Sequence, residues 1–106
     1  MRNMSTRCNI IIENNSIVPR VWLYRHMDGY PECTGSKLKN FMKKVKSTNN
    51  KEVAYELLRE GEEEYADNKY RTGAYEITDG MHGDIEYLYT LNLVDKTVHT
   101  EKISHE

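Results

Sequence analysis

The amino-acid sequence predicts an α+β domain in which an antiparallel sheet of about five strands carries two helices on one face, in the chain order ββααβββ. Two features lead to that expectation. Apolar residues recur with a period of two near both ends of the chain and with a period of about 3.6 between them. Clusters of Asn, Asp, Gly and Ser separate these stretches and supply turn chemistry.

The first strand is read over residues 6–14, where Cys8, Ile10 and Ile12 alternate and Ile11 adds an apolar group to the other face. Three consecutive isoleucines suit a strand inside a sheet. Asn14, Asn15 and Ser16 then form a turn, so the first two strands make an antiparallel hairpin. Val18, Val21, Trp22, Leu23 and Tyr24 build the second strand, with Pro19 near its start at a bulge or edge and its end near His26.

Leu38, Phe41, Met42 and Val45 fall at i, i+3, i+4 and i+7, while Lys37, Lys39, Lys43, Lys44 and Lys46 fill the opposite face. This is an amphipathic helix capped by Ser36 or Thr34. A second helix starts after Asn49, with Glu52 in a capping-box position and Val53, Leu57, Leu58 and Tyr65 as its buried stripe. Glu60, Glu62, Glu63 and Glu64 face water, and Gly61 weakens the helix. Residues 74–78 form a short strand, and 79–84 a loop with two glycines. Ile85, Tyr87, Tyr89, Leu91 and Leu93 alternate with Glu86, Leu88, Thr90 and Asn92 as the clearest strand, which sends Tyr87 and Tyr89 to the core. Val94, Asp95 and Lys96 turn the chain into a last strand over residues 97–103, polar enough to be an edge.

A length of 106 residues predicts a single domain over residues 1–106, with a core small enough that oligomerisation helps it. Charged residues at 30% and the hydrophobic class at 38% fit a folded soluble domain. A net charge of -2 and a pI near 6.1 argue against a surface coated for nucleic acid, so direct DNA binding is not expected. Cys8 and Cys33 match neither a metal spacing nor a disulfide framework and read as reduced thiols. No apolar run approaches the roughly 20 residues that span a bilayer, and no signal-peptide order opens the chain. A cytosolic protein with no membrane contact is expected, residues 1–3 being a short leader.

The chemistry concentrates where the second strand ends. Tyr24, Arg25, His26, Asp28, Tyr30 and Glu32 crowd one turn that Ser, Asn and Gly would have made equally well. His26 and Asp28 have the chemistry of an acid–base pair or, with His82 and Asp84, of a metal site, but spacing assembles neither, and no catalytic residue, metal ligand or cofactor is assigned. Arg7, Arg20 and Arg25, with Lys37 and Lys39, suit a phosphate at a helix start formed by Thr34, Gly35 and Ser36. Tyr24 and Tyr30 flank the turn and have the flat ring and polar tip that stack on a base.

The Ser5-Thr6-Arg7 opening, the Tyr24-Arg25-His26-Met27-Asp28-Gly29-Tyr30-Pro31 segment and the Gly83-Asp84-Ile85-Glu86-Tyr87-Leu88-Tyr89 strand together resemble small phage and prophage proteins with a Tyr-x-His-x-Asp-Gly-Tyr-Pro segment. The resemblance implies an accessory protein made inside a bacterium, in the host cytoplasm, and acting against host defence. The leading expectation is a non-enzymatic homo-oligomer that sequesters a small nucleotide-derived signal with Arg7, Tyr24, Arg25, His26, Asp28 and Tyr30 around it. One alternative is a protein inhibitor of a host defence protein or CRISPR nuclease complex, using the last strand or the lysine face of the first helix. Another is a phosphodiesterase-like enzyme using His26 with Asp28 or His82.

Overall fold

Strands and helices follow one another in the order the sequence predicts. The computed structural model describes residues 6–26, 28–64 and 74–103. The elements are β1 (Cys8–Glu13), β2 (Val21–Arg25), a π-helical turn (Pro31–Gly35) that runs into α1 (Ser36–Lys44), α2 (Asn50–Glu64), β3 (Tyr75–Thr78), β4 (Tyr87–Asn92) and β5 (Thr97–Lys102). The leader expected at residues 1–3 and Tyr65 of the expected helix stripe lie outside the described residues.

The five strands form one sheet in the order β3-β2-β1-β4-β5. β1 with its isoleucines is central and β5 is an edge, as the pattern predicts. Neighbours are antiparallel except β1 and β4, which run parallel with Cys8 opposite Tyr87 and Ile12 opposite Leu91. The reason lies in the connections. β3 pairs antiparallel with the outer side of β2 and so runs in the direction of β1, and β4 runs the same way. Residues 79–86 must therefore return across the sheet before β4 begins, as a parallel connection requires.

Alternation sends Cys8, Ile10, Ile12, Leu23, Tyr89 and Leu91 to one face, where Leu38, Phe41 and Met42 of α1 and Val53, Ala54 and Leu57 of α2 close the core. The opposite face carries Asn9, Ile11, Trp22, Tyr24 and Leu88. The capping of α2 follows the sequence, with a relay. Asn49 Oδ1 accepts the Glu52 N–H at 3.1 Å, the Glu52 carboxylate accepts the Ser47 hydroxyl at 2.8 Å, and Ser47 Oγ accepts the Asn49 N–H at 3.0 Å. Gly61 does not interrupt α2. A Cβ there would lie 2.6 Å from the Tyr75 ring, so the glycine lets the helix approach β3.

The start of the first helix differs from the expectation. Helical backbone begins at Pro31 rather than after Thr34 or Ser36, because proline suits a first helical position and Tyr30 precedes it in extended conformation. The turn before it is clamped onto β1 and β4. The Gly29 N–H donates to Thr6 O at 2.9 Å and the Tyr89 hydroxyl donates to Gly29 O at 2.6 Å. A Cβ at position 29 would stand 2.9 Å from Thr6 O and 3.1 Å from Cys8 Cβ. Gly29→Ala is therefore expected to lower unfolding free energy by about 2 kcal/mol in denaturant titration, whereas Gly83→Ala, with open space around it, shifts it by less than about 0.5 kcal/mol.

Candidate functional site

The charged turn divides by the alternation of the strand that feeds it. Arg25 points into the helix face and is 0% exposed. Its Nη1 donates to Thr34 Oγ1 and to the Tyr75 hydroxyl, each at 3.0 Å, and its guanidinium lies 4.8 Å from the centre of the Tyr75 ring. Thr34 passes the link on by donating to the Asp28 carbonyl. The Asp28 carboxylate accepts the Tyr30 N–H at 3.2 Å, an Asx turn, and the Tyr30 ring packs 6.0 Å from that of Tyr87. Arg25 is thus not available to a phosphate, and Asp28 and Tyr30 belong to the turn rather than to a site shared with His26. Thr34, Gly35 and Ser36 lie inside the helical run, so the helix start expected there for an anion does not form.

The other half of the stretch faces the opposite side of the sheet and meets the 79–86 crossing. Asn9 is fully buried beneath it, donating to Leu23 O and accepting the His82 N–H, both at 2.8 Å. The His82 ring stacks on Tyr24 with centroids 4.1 Å apart and planes 17° apart, and its Nε2 lies 3.0 Å from Thr78 Oγ1. The Tyr24 hydroxyl sits 3.0 Å from His26 Nδ1. Arg7 Nε–H is shared between that same nitrogen at 3.3 Å and Asp84 Oδ2 at 3.2 Å. Of the six residues expected around a ligand, Arg7, Tyr24 and His26 come together, joined by His82 and Asp84. Arg25, Asp28 and Tyr30 do not join them. Among the described residues, no three His, Cys, Asp or Glu side chains are grouped to hold a metal ion.

Where the crossing leaves β3, the sheet edge opens into a cleft of about 330 Å³ against the start of α2. Arg20, Trp22, Lys51, Tyr55 and Thr78 are among its walls, and the Arg20 guanidinium stands 5.6 Å from the centre of the Trp22 ring. Thr78 joins this cleft to the His82–Tyr24 stack. Tyr55 is 60% exposed although it is a large aromatic side chain. Sequence reasoning singled out Arg20 but missed Trp22, Lys51 and Tyr55 as its companions, because only the fold brings the start of β2 to the start of α2.

Burial sets the protonation of two groups beneath the turn. The Cys8 thiol is pushed up to about 12 by burial, against the lowering effect of Arg25. Tyr89 is raised by burial and by neighbouring Cys8 and Tyr87. On the open face Tyr24 is raised by burial first and by the Asp84 carboxylate second, with Arg7 opposing. Tyr24 and Tyr89 therefore keep their hydroxyl protons, and Cys8 is an inert structural thiol. Comparison with protein families, with curated proteins and with solved structures finds no match for this chain.

Arg25→Ala is expected to cost about 3 kcal/mol of stability, because it empties a core position and strands two hydroxyl groups, while Arg7→Ala at the surface costs less than about 1 kcal/mol. Chemical denaturation of both variants measures the difference. As pH rises through the ordinary thiol value of 9.0, the unfolded chain gives up the Cys8 proton and the folded chain keeps it. Stability is therefore full below that pH and falls above it, by up to about 1.4 kcal/mol per pH unit. Cys8→Ala flattens that fall between about pH 9 and 10, read by unfolding titrations at each pH.

Proposed function

We propose that this chain is a phage-encoded accessory protein that captures a small nucleotide-derived signal of its bacterial host without turning it over. The phage and host setting rests on the resemblance of the His-x-Asp-Gly-Tyr-Pro segment and its flanking strands. The binding chemistry rests on one observation: Arg20, Trp22, Lys51 and Tyr55 all line one concave space of about 330 Å³, with Asp79 also on its wall. That size lies within the range of small-molecule sites. Tyr55 offers a ring face for a base, and Arg20 offers the outer edge of its guanidinium to phosphate oxygens in pairs. Lys51, in the first turn of α2, adds a charge where backbone N–H groups also point outward.

The ligand then lies not at the turn expected in the sequence but at the neighbouring edge, where Thr78 is one wall and the His82–Tyr24 stack, tied to His26 and Arg7, backs Thr78. Binding rather than hydrolysis is supported by how the two histidines are committed. His26 Nδ1 serves Tyr24 and Arg7, and His82 Nε2 serves Thr78. Among the described residues no carboxylate bonds to the His82 ring to orient it as a base, which a hydrolytic relay with Thr78 requires. A homo-oligomer belongs to the same proposal, and sedimentation at several concentrations reads it.

Calorimetry against a panel of cyclic and linear adenine and guanine nucleotides is expected to show heat with at least one member. That heat should fall about tenfold or more in Tyr55→Ala and in Lys51→Glu, both surface changes. Mass spectrometry of the mixture should return the ligand intact. Silence across the panel discards the reading, and product beyond one equivalent per chain replaces it with a phosphodiesterase.

A further inference from the structure

The opposite edge of the sheet carries a second opening of different chemistry. Between α1 and β5 runs a groove of about 500 Å³ with Met42, Val45 and Val98 along it and Lys39, Lys43 and Lys96 at its rim. Lys96 braces it by donating to Val45 O at 3.0 Å. The groove lies beside β5, and among the described residues no strand pairs with the outer side of β5. The direction of the free backbone groups follows from the ladder. The Ile103 N–H donates to Glu86 O, so in the antiparallel β4–β5 pair Thr97, His99 and Glu101 turn their backbone groups toward β4. Val98, Thr100 and Lys102 turn theirs outward. Val98, whose side chain lines the groove, thus also presents a free N–H and C=O at the same edge.

We propose that the outer edge of β5 and the lysine-rimmed groove beside it form a docking site for an acidic, extended segment of another protein, which joins the sheet as a sixth strand. Main-chain bonds to Val98, Thr100 and Lys102 hold the segment, and alternate side chains enter the groove. An apolar side chain there meets Val98, Met42 and Val45, and a carboxylate meets Lys39 or Lys43. Charge complementarity selects a foreign chain over a second copy. Edge-to-edge pairing of two β5 strands with their helices on one side gathers both sets of lysines on that side, where they repel. The chain's own acidic run, Glu60 to Glu63, is locked in α2 and is not available as a strand.

Fluorescence anisotropy with a labelled peptide of alternating glutamate and valine tests the site on the full chain. The acidic peptide is expected to bind, and its lysine-for-glutamate counterpart is not. Binding should weaken about tenfold or more in the Lys39→Glu, Lys43→Glu double variant, whose changes are at exposed positions. N-methylation of the peptide at alternate residues, which removes strand donors without touching the protein, should weaken it as much. Failure of the acidic peptide to bind overturns the proposal, as does binding indifferent to both the charge reversal and the N-methylation. Concentration-dependent dimers that Thr100→Pro abolishes also overturn it, by assigning the edge to a second copy.

Discussion

The parallel pairing of β1 with β4 constrains everything on the open side of this sheet. A hairpin meander would have left that side bare, with short turns at the sheet ends. Placing β4 in the same direction as β3, on the far side of β1, obliges residues 79–86 to travel back over β2 and β1. A polar backbone laid across a sheet needs partners, and the strand beneath supplies one in Asn9. Its amide bonds Leu23 O with one end and the His82 N–H with the other, so a buried polar side chain is satisfied and the crossing is anchored by the same contacts. The crossing then sets His82 over Tyr24 and Asp84 beside Arg7. The crossing leaves β3 at Thr78, whose side chain reaches His82 and whose residue also lines the cleft against α2.

The same sheet explains why one short motif has two characters. A strand turns successive side chains to opposite faces, and Tyr24, Arg25 and His26 obey that rule. Arg25 goes under the helices and ties Tyr75 to Thr34 and so to the Asp28 carbonyl. Gly29 lies so close to β1 that no side chain fits, and Pro31 starts the helix. Arg25, Asp28, Gly29 and Pro31 are therefore the joint between sheet and helices. Tyr24 and His26 go to the other face, where His82 covers Tyr24, only 7% exposed, and His26 stays half-buried.

Much of this was legible in the residues. The isoleucine run of β1, the alternation from Tyr87 to Leu91 and the lysine-backed stripe of α1 each follow from a local period, and their elements stand where that period puts them. Asn49 and Glu52 announce the start of α2 by a cap that needs only neighbours in sequence. The direction of β4 was not legible, since nothing local distinguishes a parallel from an antiparallel partner. Arg25 misled for a related reason. An arginine beside an aspartate and a histidine reads as surface chemistry, and only the position of Tyr75, far along the chain, shows that its guanidinium has an internal use. Trp22 and Tyr55 likewise carry no sequence signal of proximity, because the contact between β2 and α2 is made by the fold.

Charge distribution connects the two openings. With a net charge of -2 the chain exerts no broad pull on anions, so any preference for them must come from local groups acting within about 10 Å at physiological salt. The sheet separates two such places: Arg20 and Lys51 lie at the β3 edge, and Lys39, Lys43 and Lys96 at the β5 edge. Trp22 and Tyr55 line the first opening together with Val21, Ala54, Ile77 and Asp79, whereas the second has no aromatic residue among Met42, Val45 and Val98. That difference in the uncharged companions, more than the charge itself, makes one edge suited to a flat small anion and the other to an acidic strand. The two share no side chain, so occupation of one leaves the contacts of the other intact, and their energetic effects are expected to add.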